Sequence, residues 1–323
     1  MSDLPKHIEI REEGPREGFQ YEPGPIATER KIELIDRLSD TGLREIQIVS
    51  FVNPKAVPGM ADAEAVVAGI TRRPGVHYLG LWLNEKGMER AVATGKLDIK
   101  GSILFSASER FTLRNQNRTL VEHERAQHEM ARRYKELGVP IDYALITAAF
   151  GCNFEGDVAA SKVVEIVGTI LALCEEQEID LSYISLADTM GWATPLQVKR
   201  LVGAVRDRYP DAPLSLHLHD TRGMGIANAF AGLEMGVAHF DASAAGLGGC
   251  PFAGNRAAAG NVCTEDLVFL CDEIGIETGV DLKALVDCAI LAEEVVGHPL
   301  PGSIKSGGTL RTLRQKIAAG ARA

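Results

Sequence analysis

The sequence predicts an α/β fold, a closed parallel (β/α)8 barrel with additional helices at its C-terminal end. Three observations carry this prediction. Eight short apolar-rich segments alternate with eight helical patterns along the chain. Strict strand–helix alternation implies parallel pairing with helices outside, and eight units of this size suit a closed barrel better than an open sheet. The 323 residues lie near the upper end of what one hydrophobic core supports.

The elements follow in order. A strand at 7–13 passes through a Gly14, Pro15 and Gly18 loop to a helix at 26–41, ended by Gly42. A strand at 44–50 precedes a helix at 61–71. A strand at 77–83 precedes a helix at 85–94, with Gly95 just past its end. A strand at 100–107 precedes a helix at 119–137 ended by Gly138. Strands at 141–147 and 183–188 precede helices at 157–176 and 195–209. The second of these helices opens on Thr194 as N-cap, with Pro195 at its first position. A strand at 214–220 precedes a helix at 224–235 ended by Gly236. A strand at 239–245 precedes a helix at 264–274, where Thr264 caps and Glu265 and Asp266 meet the positive end of the helix dipole. Two further helices, 282–296 and 309–319, flank Pro299-Leu300-Pro301-Gly302. The division expected is a barrel over 1–280 and a helical extension packed on it over 281–323.

Composition narrows the function. A net charge of −10 argues against nucleic acid as main partner, because phosphate binding needs a basic face. No apolar run approaches the roughly 20 residues of a membrane span. Residues 1–6 hold no signal-like apolar core, so a cytoplasmic protein is expected. The six cysteines are scattered without C-x-x-C pairs and do not form a disulfide framework.

In a barrel, chemistry collects where strands end and the following loops begin. The seventh strand reads Leu214-Ser215-Leu216-His217-Leu218-His219-Asp220. Its leucines face one way, and Ser215, His217 and His219 face the other. Two imidazoles about 6–7 Å apart on one face can share one ion. The first strand ends in a shaped loop presenting Arg16 with Glu12, Glu13 and Glu17. Gln47 and Ser50 end the second strand. Asp188 and Thr189 end the sixth, where Asp188 is equally a structural cap or a site group. The eighth leads into Gly246-Leu247-Gly248-Gly249-Cys250-Pro251 and on to Asn261 and Glu265. That long glycine-rich loop reads as a lid bringing a thiol to a site. Trp82 and Trp192 near strand ends three and six are packing groups or pocket walls. The basic tail 310–316 is a solvated helix face, or a contact for phosphate or a subunit partner. His77, His123 and His298 have no clustered partners and are read as structural or exposed.

Four stretches together resemble the 3-hydroxy-3-methylglutaryl-CoA lyase family, within the metal-dependent TIM-barrel lyases and synthases. They are Gly14-Pro15-Arg16-Glu17-Gly18-Phe19-Gln20, Ser50-Phe51-Val52-Asn53-Pro54-Lys55, Leu216-His217-Leu218-His219-Asp220-Thr221, and the loop Gly246-Leu247-Gly248-Gly249-Cys250-Pro251. The likeness runs from about Ile8 to Pro301, and the cysteine loop is its most specific part. It implies a divalent metal ion, Mg2+ or Mn2+, held by Glu17, His217, His219 and Asn261. It implies Arg16 and Cys250 in catalysis, with Asp188 and Glu265 as further active-site carboxylates. It implies an acyl-CoA substrate and a homodimer. Three departures touch the site. The family pattern reads Glu-Val-Gly-Pro-Arg-Asp-Gly-Leu-Gln. Here its aspartate is Glu17, its valine is Glu13, and a glutamate ending the second strand is Gln47. The stretch between Cys250 and Asn261 is also about two residues longer.

The chemistry this implies is cleavage of a 3-hydroxyacyl-CoA, 3-hydroxy-3-methylglutaryl-CoA or a close analogue, to acetyl-CoA and a keto acid. It needs a Lewis acid for the alcohol, a base for its proton, and fixed positive charge for the enolate oxygen. Arg16 cannot deprotonate and suits the last role. Asp188 or a histidine such as His217 serves as base. Cys250 delivers a proton to the enolate carbon. Gln47, Ser50, Thr189 and Glu265 are expected around the substrate. Glu17 and Gln47 also motivate an alternative: a lyase for a citramalyl-like or longer branched hydroxyacyl-CoA, or an aldolase on a free hydroxy-oxo acid. A non-catalytic binding barrel is the reading from another class.

Overall fold

The computed structural model describes residues 4–249 and 258–319. Eight strands form one parallel sheet: β1 (Glu9–Glu12), β2 (Glu45–Ser50), β3 (His77–Leu81), β4 (Gly101–Ser106), β5 (Ile141–Thr147), β6 (Tyr183–Ala187), β7 (Leu214–His217) and β8 (His239–Ala242). Their order is β3-β2-β1-β8-β7-β6-β5-β4, which is the cyclic order of a barrel. The β3–β4 seam is bridged by Asp98, just before β4. Its backbone N–H donates to the Tyr78 carbonyl at 2.9 Å. Its carboxylate accepts from the Tyr78 N–H at 2.8 Å.

Helices follow the strands as the alternation predicts: α1 (Thr28–Ser39), α2 (Ala63–Gly69), α3 (Glu85–Ala93), α4 (Leu120–Leu137), α5 (Ala160–Gln177), α6 (Pro195–Arg208), α7 (Gly225–Glu234) and α8 (Thr264–Ile274). Thr194 caps α6 through a reciprocal bond pattern with Gln197. α9 (Leu282–Val296) packs against α1 and α8 through Leu282, Leu285, Cys288, Ala289 and Ala292. α10 (Leu310–Ala318) buries no residue.

The strands are shorter than the apolar runs suggested. β7 stops at His217 and β8 at Ala242. Beyond those points the backbone turns to bond with neighbouring loops. Four local features lay beyond the periodic patterns. Residues Gly14–Gly18 form one wide helical turn. Ala244–Gly246 form a tight one. Glu109–Gln116 form a short helix capped by the Ser108 side chain, which accepts from Phe111 N–H at 3.2 Å. Gly151–Cys152 pairs with Gly156–Asp157 as a small hairpin.

The phase of the strands decides what the barrel holds. Gly232 of α7 lies so close to Leu216 that a Cβ there would collide with it. The apolar residues of β7 therefore face the helices. Ser215 and His217 face the barrel axis, as do Arg11 of β1 and Asp241 of β8, which pair side by side on these neighbouring strands at 3.4 Å. The apolar layer lies between sheet and helices, and the interior carries charge.

Candidate active site at the strand ends

Two imidazoles meet at the end of β7. His217 Nε2 lies 3.3 Å from His219 Nε2. His217 Nδ1 lies 3.0 Å from Asp241 Oδ2. Burial pushes Asp241 up, but Arg11, His217 and Arg16 outweigh it and hold it below its ordinary value. An ionised carboxylate only accepts, so Nδ1–H donates and Nε2 is the nitrogen turned toward the cluster. His219 is past the strand, where its backbone bridges Asn261.

The wide turn at Gly14–Gly18 brings the third group. The Glu17 N–H bonds back to the Glu13 carbonyl at 2.8 Å, which turns the Glu17 side chain toward β7. Glu17 Oε1 sits 3.5 Å from His219 Nε2 and 3.9 Å from His217 Nε2. Three atoms with edges of 3.3, 3.5 and 3.9 Å have an equidistant point about 2.1 Å from each, a magnesium–ligand length. Burial would raise Glu17, yet Arg16, His219 and His217 hold it well below the usual carboxylate range. Asn261 Oδ1 is buried nearby with no hydrogen-bond partner among the described residues. An orphaned carbonyl oxygen beside two imidazoles and a carboxylate fits a hard divalent cation. The longer Glu17 side chain therefore still converges on the histidines.

Arg16 sits beside this triad. Its Nε donates to Gln47 Oε1 and one terminal nitrogen donates to Glu13. The other lies 2.9 Å from Glu17 Oε2. Glu13 is raised by burial despite that contact. Below it lies Arg11, 3% exposed, with Tyr143 and Tyr183 rings at 4.1 and 4.9 Å.

The remaining predicted residues are dispersed. Glu13, Arg16, Glu17, Thr189, His217, His219 and Asp241 line a cavity of about 310 Å³ over the strand ends. Gln47 and Ser50 are buried behind it, Ser50 Oγ donating to Gln20 Oε1 at 2.9 Å. Asp188 is buried, accepting from the Trp192 and Ala193 N–H groups at 2.6 and 3.1 Å. Burial raises its carboxyl, and its Oδ2 has no hydrogen-bond partner among the described residues. Glu265 lies away from the cavity, holding the Ala245 N–H at 2.8 Å against Gly302. Cys250 lies outside the described residues. Neither tryptophan lines this cavity: Trp82 donates to Tyr134 Oη at 2.6 Å, and Trp192 to Asn153 Oδ1 at 2.6 Å. Among the three isolated histidines, His298 pairs with Glu22 at 2.8 Å. The five described cysteines are buried free thiols.

Sequence reasoning missed Asp241, Arg11 and Tyr143. Their signal was present in the alternation of β8 and β1, which puts Asp241 and Arg11 on the axial face.

With this geometry in view, comparison with known proteins is decisive. The HMGL-like family profile matches residues 7–291. The chain belongs to the HMGL-like family. It is a carbon–carbon lyase. This HMGL-like chain is 42% identical over 285 residues to the mitochondrial hydroxymethylglutaryl-CoA lyase of Gallus gallus, covering 88% of this chain and 92% of that protein. It superposes on the HMG-CoA lyase of Bacillus subtilis with a TM-score of 0.86, at 37% identity over 96% of this chain and 99% of that one. It also matches an HMG-CoA lyase from Acinetobacter baumannii in complex with coenzyme A and 3-methylmalate. There the TM-score is 0.84, at 38% identity over 96% of this chain and 97% of the other.

Proposed function

We propose that this chain is a divalent-metal-dependent lyase that cuts a 3-hydroxyacyl-CoA between C2 and C3, releasing acetyl-CoA and a keto product. The substrate is 3-hydroxy-3-methylglutaryl-CoA or a close analogue. The observation that carries the reading is the convergence of Glu17, His217 and His219, with ligand atoms all within 4.8 Å of one another at the mouth of the barrel. The relatives' names and the coenzyme A complex of one of them support an acyl-CoA substrate.

Glu17, His217, His219 and Asn261 would hold Mg2+ or Mn2+. A bound ion supplies Lewis acidity that makes the C3 hydroxyl easier to deprotonate. The chain's own residues do the rest. Asp241 fixes the ring of His217. Arg16, permanently charged, faces the cavity and stabilises negative charge on the thioester oxygen as the C2–C3 bond breaks. Asp188 and His217 are the candidate proton acceptors. Cys250 returns a proton to C2 from the loop after β8. Gln47 and Ser50 set the position of Arg16 and Gln20 rather than touching substrate, and Thr189 lines the pocket.

The test combines metal analysis with a cleavage assay. His219→Ala should lose bound metal and fall at least ~100-fold in cleavage. Asp188→Asn should keep the metal while cleavage falls, which assigns the proton to Asp188; retained cleavage assigns it to His217. Full activity of a metal-free wild type and of His219→Ala would end the proposal.

We also take 1–280 as the barrel and 281–323 as its helical extension, in a cytoplasmic homodimer. No helix among the described residues is long and apolar enough to cross a membrane. The exposed stripe Leu310, Leu313 and Ile317 on α10 supports a second copy, and sedimentation of the full chain measures it.

A further inference from the structure

Resting on the metal-dependent lyase reading, we propose that Arg11 is a positioning residue for the metal ion. It holds the Asp241 carboxylate, and through that carboxylate the ring of His217, so that the imidazole is aimed at the ion site in advance.

The register of three strands puts these residues in one row. Arg11 of β1 is the partner of Asp241 of β8, and Asp241 is the partner of His217 of β7. Register partners in a sheet share a face, here the barrel axis. Asp241 uses its two oxygens in different directions. Oδ1 lies 3.4 Å from Arg11 Nε, and Oδ2 lies 3.0 Å from His217 Nδ1. A carboxylate engaged at both oxygens cannot rotate without giving up one contact. The imidazole bonded to it is held as well, with Nε2 3.3 Å from His219 Nε2 and 3.9 Å from Glu17 Oε1.

Arg11 is itself immobilised. The rings of Tyr143 and Tyr183, register partners on β5 and β6, lie 4.1 and 4.9 Å from its Cζ. The two rings stack with centroids 5.6 Å apart. They keep the buried guanidinium in place and offer it π-electron density. None of its nitrogens makes a hydrogen bond among the described residues, so Arg11 acts on Asp241 by charge at short range.

Packing alone does not account for an arginine here. Well-packed apolar side chains often serve a fold as well as a buried ion pair, or better. What hydrocarbon cannot do is stand between two buried carboxylates. Glu13 Oε1 lies 3.6 Å from the same Nε, and the charges of Glu13 and Asp241 oppose each other. With a neutral residue at position 11 that repulsion is unopposed, and it turns the Asp241 carboxylate off His217.

The experiment is calorimetry of Mn2+ binding to the chelator-treated full chain, as wild type, Arg11→Met, Asp241→Asn and the double variant. Arg11→Met should weaken binding by at least ~10-fold, the scale of losing a group that orients a metal-bound histidine. Asp241→Asn should weaken it by as much or more. The double variant should bind like Asp241→Asn, because Arg11 then has no carboxylate to hold. Arg11→Lys should regain most of the affinity, since it returns the charge. An Arg11 needed only for folding would lower Tm in its variants and leave the Kd of the folded protein unchanged, and that result overturns the inference. So does a double variant weakened by the product of the two single effects, or a Lys variant no better than the Met variant. If Arg11→Met does not fold, Arg11→Gln replaces it with the same expected loss. A wild type that binds no Mn2+ ends the metal-dependent reading and this inference together. A wild type that binds it, with Arg11→Met unchanged, ends this inference alone.

Discussion

Arg16 is held by a carboxylate and an amide, and the carboxylate stands on the strand next to the one where the family pattern has it. That pattern has valine where Glu13 stands and glutamate where Gln47 stands. Both residues bond Arg16, one from the end of β1 and one from β2. The count of negative charges around the guanidinium is therefore kept while the charge moves by one strand. Such coupled partners are not additive. Glu13→Val alone should leave Arg16 and Arg11 underpaired and lower kcat/KM by ~10–100-fold, less than the full cost of breaking a buried ion pair because Gln47 and Glu17 still bond Arg16. Gln47→Glu alone adds a third carboxylate and should also reduce it. The double variant should recover most of the loss in a cleavage assay. A double variant no better than the product of the two single effects would refute this shift of the charge.

At the scale of elements, two buried carboxylates pin the loop after β8. Glu12 accepts from the Gly14 and Ala244 N–H groups at 2.8 and 2.9 Å and from Thr264 Oγ1 at 2.6 Å. Glu265, at the start of α8, holds Ala245. Burial pushes Glu12 up to about 7 and Glu265 up to about 8, from 4.5. The fold thus favours the protonated form of Glu265. Its contribution to stability is whole below pH 4.5 and fades as pH rises to about 8. Glu265→Gln keeps an acceptor for Ala245 without that titration. Its unfolding free energy should fall less steeply between pH 5 and 8, by up to roughly 1.4 kcal/mol per pH unit. Urea unfolding across that range measures it, and identical slopes in both proteins would show that Glu265 is not the group responsible. The same region shows why glycines recur there. A Cβ at Gly18 would collide with Leu247, so the loops of β1 and β8 touch only because Gly18 has none.

At the scale of the whole molecule, the barrel sets loops distant in sequence side by side. Glu17 and His219 are 202 residues apart, yet β1 and β7 both flank β8. An ion shared by these loops would tie the ends of three strands together. Metal bound at 100 times its Kd should stabilise the fold by about 2.7 kcal/mol. Tm should rise by several degrees when Mg2+ or Mn2+ is added to chelator-treated protein, and His219→Ala should show no rise. An unchanged wild-type Tm would count against the site.

Much was legible in the sequence because it depends on local periodicity. The alternation of residues 214–220 put His217 and His219 on one face. The eight strand–helix units fixed the class of fold, and caps such as Thr194 fixed helix starts. Other features were decided only by tertiary structure. The reach of Glu17 depends on a wide turn at Gly14–Gly18 that no periodic pattern announces. Glu265 follows the eighth-strand loop in sequence, yet its side chain turns inward to hold Ala245 rather than toward the cavity. Asp241 reads as one polar residue among apolar neighbours until β8 brings it to His217. Sequence patterning determined which residues face the barrel axis, because side-chain phase is a local property of a strand. Which of them meet was decided by the closed sheet, because those distances are set by packing between strands that are far apart in the chain.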